Sequence, residues 1–322
     1  MHLPAIRQIT ADSSGAGFFL CLQKDVRAGK NGDYIALSLQ DKTGRIAGKV
    51  FEDVERLRHE FEAGEFVKIK ARANRYGGQI QLIVENIRRV SPDQDRLAGF
   101  REEECIASAS RPIEEMWQEL VALVARVRNA AVRDLLERIL ARYETSLQVW
   151  PAAQVVHHAY RGGFLEHVLK IAQVGLALAE AYGANADLII AGAILHDIGK
   201  LKELDYDGMA SYSREGRLVG HITLGVLMIK EESQTIADFP PELLTAIEHL
   251  VVSHHGSKEL GSPVEPMTVE GFILAMADDL DAKVNQIQQA LSDDSGDGEF
   301  TAYQPRLGRT FWKGAGDKPA GL

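Results

Sequence analysis

The apolar residues of this chain change period once, near residues 91–112, and that change limits its possible folds more than any other feature. Before it the period is two. Ile35, Leu37 and Leu39 alternate with Tyr34, Ala36, Ser38 and Gln40, and Val67, Ile69 and Ala71 alternate with Lys68, Lys70 and Arg72, as in strands with one buried face. Turns at 41–44 and 76–79 separate such runs, and 52–61 reads as a short helix after the third of five strands, the plan of a small OB-type barrel. Beyond Pro112 the period becomes helical. Trp117, Leu120, Val121, Val124 and Val127 share one face, then Val132, Leu135, Leu136, Ile139 and Leu140, and further helices are predicted over 164–182, 185–197, 221–232, 240–254 and 268–291. The expected protein is multidomain: an all-β OB-type barrel over 1–90, a linker over 91–112, an all-α helical bundle over 113–291, and a flexible tail over 292–322, where Gly and Asp accumulate.

A chain of 322 residues is long enough for two such cores. Its N-terminus has no signal-like apolar run, and its longest apolar stretch, 188–195, is too short to span a bilayer. Cys21 and Cys105 lie far apart and outside any CxxC spacing, which argues for a reducing cytoplasmic setting and against a thiolate zinc site. The net charge of −10 hides an asymmetry. Residues 1–90 carry 15 Lys+Arg against 11 Asp+Glu, and the remainder 21 against 35. A mildly basic front therefore precedes an acidic rear. The apolar faces of the 113–140 helices could serve a homo-oligomer contact or pack inside the rear domain.

Eight of the ten histidines fall between His157 and His255. Within that region and just beyond it stand His167, the pair His196-Asp197, His221, the pair His254-His255, and Asp278, each on a predicted helix or near its end. Neighbours on a helix point about 100° apart, so a His-Asp pair cannot chelate one ion as i,i+4 residues do. It can place the imidazole on one ion and let the carboxylate reach a second. His167, His196, Asp197 and Asp278 are therefore assigned to one divalent ion, and Asp197, His221, His254 and His255 to another, with Asp197 bridging. Nitrogen and oxygen donors without thiolate suit manganese first, with iron, cobalt or nickel as alternatives. Two such ions roughly 3.5–4 Å apart can supply a hydroxide at neutral pH and hold both oxygens of an in-line displacement. Lys200, three residues past Asp197, and Arg161 are candidates to hold a phosphate oxygen, and Lys200 to offset charge on the leaving group. His157 and His158 are read as substrate contacts, Gly199 as a helix stop, His249 as lying off the ligand face, and Asp279 and Asp281 as solvated or supporting.

At these residues the chain resembles the HD-domain phosphohydrolases, and His221 with His254-His255 resembles their dinuclear branch. The order of an OB-type domain, a linker and an HD domain is similar to that of the YhaM-type 3′–5′ exoribonucleases. So are His157-His-Ala-Tyr-Arg-Gly-Gly-Phe-Leu-Glu-His167, His196-Asp-Ile-Gly-Lys200, Ser253-His-His-Gly256, Gly261-Ser-Pro-Val264 and Asp278-Asp-Leu-Asp-Ala-Lys283. The resemblance covers roughly residues 15–290. It implies hydrolysis of single-stranded RNA from the 3′ end, single-stranded DNA as a further substrate, and activation by manganese or cobalt. The segment after Leu291 has no counterpart in it.

The front domain points the same way by itself. If Ile35, Leu37 and Leu39 face inward, then Tyr34, Lys68, Lys70, Arg72 and Tyr76 face outward, with Lys49 and Phe51 extending the surface. Aromatic and basic groups interleaved in this way suit single-stranded nucleic acid, although exposed strand lysines also guard an edge against aggregation. Two other functions stay open at this point: an HD phosphohydrolase acting on nucleotides or cyclic dinucleotides, and a nucleic-acid-binding protein whose helical domain is not catalytic.

Overall fold

The structure is a computed structural model that describes residues 2–29, 32–106, 108–109, 111–152, 160–206, 210–294, 296 and 298–314. It divides into two compact units, Met1–Ala107 with Ile287–Leu322, and Ser108–Gln286.

The first unit is built on five strands: β1 Ser14–Gly29, β2 Gly32–Asp41, β3 Gly44–Val50, β4 Phe66–Tyr76 and β5 Gln79–Arg89, with helix α1 (Val54–Leu57) between β3 and β4. They close a barrel in the order β1-β2-β3-β5-β4. Only β3 and β5 run parallel, and β1 pairs back onto β4. One strand can serve two partners because β1 is 16 residues long and carries a bulge between Cys21 and Gln23, which bends it from β4 toward β2. The period-two reading holds for the apolar positions, but Gln40, expected on the outer face, is buried at the end of β2. Ile35, Leu37, Leu39, Val67, Ile69 and Ala71 are buried, and Leu57 and Phe61 join them in the same core.

The segment expected to be a linker is folded onto the barrel. It forms α2 (Pro92–Asp95) and α3 (Glu102–Cys105), and Phe100 and Cys105 pack with Leu20 and Val90. What fixes it is a carboxylate. Asp95, 1 % exposed, receives both arms of Arg88 at 2.7 and 2.8 Å, the Lys68 ammonium at 3.0 Å and the Ser91 amide at 2.9 Å. The Arg88 guanidinium, helped by the other donors against the effect of burial, holds this carboxyl well below the usual range. The flexible-tail expectation also needs correction over residues 298–314. Phe300 pairs with Trp312 and Gln304 with Arg309, Thr301 is buried, and the Lys313 ammonium binds Asp294 and the Gly296 carbonyl. Four aromatic residues between 300 and 312 give this segment the apolar surface that its Gly/Asp-rich entry lacks.

The second unit is helical: α4 Ile113–Ala125, α5 Ala130–Val149, α6 Gly163–Tyr182, α7 Ala186–Leu195, α8 Lys200–Glu203, α9 Arg214–Val219, α10 His221–Ser233, α11 Pro241–Ser253 and the greater part of α12 Val269–Asp293, whose residues from Ile287 on count with the first unit, with a two-stranded hairpin of β6 (Leu204–Tyr206) and β7 (Ala210–Tyr212) after α8. The apolar faces of α4 and α5 are core: Met116, Leu120, Leu135, Leu136 and Ile139 are buried among residues of α6 and α7. They therefore lie inside the rear domain, not at a subunit contact. Helix α7 is buried almost all round, from Ile189 to Leu195, as befits a helix enclosed by its neighbours. Its start is fixed by the Asn185 side chain, which accepts from the amides of Asp187 and Leu188. No helix among the described residues is long and apolar enough to cross a membrane.

Removing the Asp95 carboxylate leaves two cations facing a buried site, so Asp95→Ala should destabilise the barrel by about 2 kcal/mol, discounted because Lys68 and Arg88 are partly solvated. Its pKa is depressed in the folded state, so the stabilisation is complete above the unfolded value of 3.8 and fades as the pH falls below it. Hydrogen exchange of the β4 and β5 amides at pH 7 should accelerate by roughly 30-fold in the variant. The gap in urea resistance between variant and parent should narrow at pH 3.

Candidate metal centre

Five helices deliver the clustered side chains. His167 stands in the second turn of α6, and His196 and Asp197 follow the last residue of α7. His221 opens α10, His254 and His255 follow the end of α11, and Asp278 lies mid-way along α12. All six members fixed by the described contacts meet around one carboxylate. Asp197 Oδ2 lies 3.3 Å from His196 Nε2 and 3.8 Å from His167 Nε2, and His167 Nε2 is 3.3 Å from Asp278 Oδ1. Asp197 Oδ1 faces the other way, 3.4 Å from His221 Nε2 and 3.6 Å from His254 Nε2. His255 stacks edge-on against His254, with ring centroids 4.2 Å apart. The two groups His167, His196, Asp197 and His221, His254, His255 each bring their donor atoms within 4.8 Å of one another.

The far nitrogen of four of these rings is tied down. His196 Nδ1 donates to the carbonyl of Ala193 at 3.0 Å and His254 Nδ1 to that of Val251 at 2.6 Å. A carbonyl cannot donate, so both rings carry their proton on Nδ1 and present a lone pair at Nε2. His167 Nδ1 meets Asp281 at 2.7 Å and His221 Nδ1 meets Glu203 at 3.1 Å, which sets the same tautomer and makes each ring a better donor. Burial opposes charge on His167, yet the carboxylates of Asp278 and Asp281 outweigh it and push the imidazole up to about 9. Burial drives His254 down to about 3. Burial also opposes ionisation of Asp197, but the Lys200 ammonium and the His196 ring hold it well below the usual carboxylate range.

The residues present fit a divalent cation. Asp197 Oδ1, His221 Nε2, His254 Nε2 and His255 Nδ1 are buried and have no hydrogen-bond partner among the described residues. Four inward-facing donors left so would be costly unless something else satisfied them. All are nitrogen or oxygen, and both cysteines are elsewhere, buried and unpaired with each other. The side chains of Asp278, His221 and Lys200 are 13–16 % exposed, whereas those of His167, His196 and His254 are sealed.

Several sequence expectations change here. Gly199 is a close-approach site as well as a turn. A Cβ there would lie 1.9 Å from the His221 carbonyl oxygen and 2.6 Å from the Gly225 amide, so only glycine lets the segment after Asp197 press against α10. Lys200 does not point at open solvent; its ammonium sits 2.6 Å from Asp197 Oδ2. Asp281 and Glu203 orient His167 and His221. Asp281 was legible as one helical turn beyond Asp278, whereas Glu203 gave no signal of its own. His249 is taken up by the Met267 amide at 2.9 Å. Arg161 is exposed at the turn before α6, with its backbone paired to Ser108. His157 and His158 lie outside the described residues.

On the barrel, Lys49 links two of the predicted aromatics, 5.8 Å from the Tyr34 ring and 4.9 Å from that of Tyr76. Phe51 stands 5.6 Å from Tyr34. Arg72 joins this surface by register, since Ile83 pairs with both Lys49 and Arg72. Lys68 does not: it is bound to Asp95 and lies over Phe18. Lys70 is paired with Glu85 at 3.0 Å. Beside Phe51 a hollow of about 530 Å³ is lined by Asp33, Asp53 and Glu55 together with Arg56, a border of net acidic charge.

Comparison with known proteins matches this geometry. Residues 164–283 fit the family model described as HD domain, residues 23–90 that described as OB-fold nucleic acid binding domain, and residues 108–191 that described as putative helicase. The chain is 34 % identical over 283 residues to the 3′-5′ exoribonuclease YhaM of Geobacillus sp. (strain WCH70), covering 87 % of this chain and 85 % of that one. It is 32 % identical over 282 residues to the protein of the same name from Bacillus subtilis (strain 168), covering 87 % and 88 %. The chain belongs to the YhaM exoribonuclease family. It joins an OB-fold barrel to an HD domain, a metal-dependent phosphohydrolase module, and its His/Asp cluster could bind metal.

The tight contact at Gly199 makes a sharp prediction. Gly199→Ala should push α10 and His221 out of place and lower manganese affinity at least ten-fold in titration calorimetry. Gly225→Ala, whose added Cβ meets its nearest atom at 3.4 Å, should bind manganese as the parent does.

Proposed function

We propose that this protein shortens single-stranded RNA from its 3′ end with two divalent ions, manganese first among them, held by His167, His196, Asp197 and Asp278 on one side and by Asp197, His221, His254 and His255 on the other. One observation carries the reading: the two oxygens of Asp197 face two separate groups of imidazole nitrogens. Once bound, such a pair of ions supplies a nucleophile from water at neutral pH and stabilises charge on the phosphodiester oxygens. The chain's own residues do the rest. Asp281, Glu203 and the carbonyls of Ala193 and Val251 fix the rings so that no rotamer search precedes reaction. Lys200, whose charge is held by Asp197 despite burial, stands at the open edge. With Asp197 committed to a cation, the Lys200 ammonium would be free to hold a substrate phosphate oxygen or to offset charge on the leaving group. Arg161 is a second candidate for that role, at the turn leading into α6.

The barrel supplies grip. Tyr34, Phe51 and Tyr76 offer rings for bases, and Lys49 and Arg72 offer charge for the backbone. Lys70 can join by exchanging its exposed carboxylate partner. Lys68 contributes by holding Asp95, not by contacting RNA. Single-stranded DNA, lacking only the 2′-hydroxyl, is a further substrate for the same surface. Both cysteines are buried free thiols, Cys21 pushed up to about 12 by burial, in keeping with a reducing cytoplasmic setting.

Metal-stripped protein reloaded with manganese and given a 5′-labelled single-stranded RNA should produce a ladder shrinking from the 3′ end, and Asp197→Ala should abolish it. Intact RNA alongside turnover of mononucleotides or cyclic dinucleotides would replace this proposal with a small-molecule phosphohydrolase. Binding stoichiometry tests the ligand sets separately from activity. The parent should take up two manganese ions per chain, raising its melting temperature, while Asp197→Asn should take up none and His255→Ala one. On the barrel, Phe51→Ala with Tyr76→Ala should cost about 2 kcal/mol or more of RNA affinity, and much less on a small activated phosphodiester.

A further inference from the structure

Residues 298–314 lie beyond the three matched family models, which end at residues 90, 191 and 283, yet they form an ordered clasp whose chemistry is specific. Phe300 and Trp312 face each other across an antiparallel bridge, which puts their side chains on one face. They are 54 % and 58 % exposed, and Tyr303 nearby is 61 % exposed. Large aromatic side chains usually bury most of their surface, so three held open within thirteen residues call for a partner. The same segment holds Arg306 and Arg309, both exposed. Its third cation, Lys313, is already used on Asp294 and Gly296, and its single carboxylate is Glu299. The clasp is thus a basic, aromatic island in a half of the chain that carries 35 carboxylates against 21 cations.

We propose that this clasp is a second binding site for single-stranded RNA, with bases stacking on Phe300, Tyr303 and Trp312 and phosphates meeting Arg306 and Arg309. The inference rests on the RNA-degrading function proposed above and adds a site to it. Flat rings interleaved with guanidinium groups are the chemistry that grips a single strand without reading its sequence. The clasp belongs to the same compact unit as the OB barrel, so the surfaces suited to RNA gather in one unit and the metal cluster in the other. Hydrogen bonds hold the clasp in shape before any ligand arrives: Thr301 to Phe311, Gln304 to Arg309 and Lys313 to Glu299 at 2.8–2.9 Å. Its rings therefore lose little further freedom on binding.

Trp312 provides the readout, because of the three tryptophans Trp117 is buried and Trp150 half-buried. Full-length protein in EDTA, which stops hydrolysis, is titrated with an unlabelled oligouridylate while tryptophan emission is followed, and affinity is measured separately with a labelled strand. RNA should quench the parent's emission. Trp312→Ala should weaken binding by about ten-fold or more, and Trp312→Phe, which keeps a stacking ring, should restore most of it. Arg306→Glu with Arg309→Glu should lower the dependence of log affinity on log salt by about one. Unquenched emission in the parent together with parental affinity in all three variants, while the parent still binds RNA and shortens it once manganese is supplied, would overturn the clasp and leave the proposed function standing. A parent that neither binds nor shortens RNA would end both. If the variants change the mass in sedimentation and not the RNA affinity, the island is a contact between copies of the chain and the proposal is wrong.

Discussion

One buried carboxylate organises the catalytic half of this molecule. Asp197 stands between two groups of imidazoles, and each of its oxygens faces one of them. Removing a carboxylate from water is unfavourable unless opposite charge or donors surround it, and the chain surrounds this one thoroughly: Lys200 at 2.6 Å, His196, His167, His221 and His254. The helices that converge there could not end where they do without it. The C-terminal end of α7, the start of α10 and the end of α11 all terminate against the same group. Stability and chemistry are coupled at this point, because the charge that assembles the helices is also the charge that attracts metal.

The two units divide the physical problem of degrading a polyanion. Hydrolysis needs a site where ions and nucleophile are held rigidly and water is limited, and the sealed side of the cluster meets that need. Holding a strand while it shortens needs the opposite: shallow, solvated, sequence-tolerant contacts that can be made and broken as each nucleotide leaves. The rings of Tyr34 and Tyr76 with Lys49 and Arg72, on the outer face of a closed barrel, fit that description, since the strands pair with one another and leave outward side chains to a ligand.

Much of this was legible in the sequence because of two simple periodicities and a pair of unusual dipeptides. Alternation along 34–40 and 67–72 placed the apolar inward residues of those strands correctly, since a one-residue error would turn them inside out, and missed only Gln40, buried where β2 leads into its turn. His196-Asp197 and His254-His255 are poor core material, and that made them conspicuous. What escaped notice escaped for physical reasons. Asp95 looked like one more acid in a polar stretch, and its partners Arg88 and Lys68 lie 7 and 27 positions away. Lys68 therefore read as a ligand for RNA when it is a prop. Glu203 acts through His221, 18 residues on, with no pattern to connect them. The ordered segment near Trp312 was hidden by the Gly/Asp-rich stretch before it, because composition averages over a window and a four-aromatic hairpin is shorter than the window.

The glycine between Asp197 and Lys200 has a consequence for how the cluster tolerates change. Where most binding sites adjust by rotating side chains, here the spacing between the two groups of ligands is set by one main chain resting on another. Atoms in van der Waals contact yield almost nothing to compression, and stretching the gap means moving an entire helix. A cation held there would therefore meet donor atoms whose separation the backbone has already fixed, and widening it would cost the displacement of a helix, not the turn of a side chain.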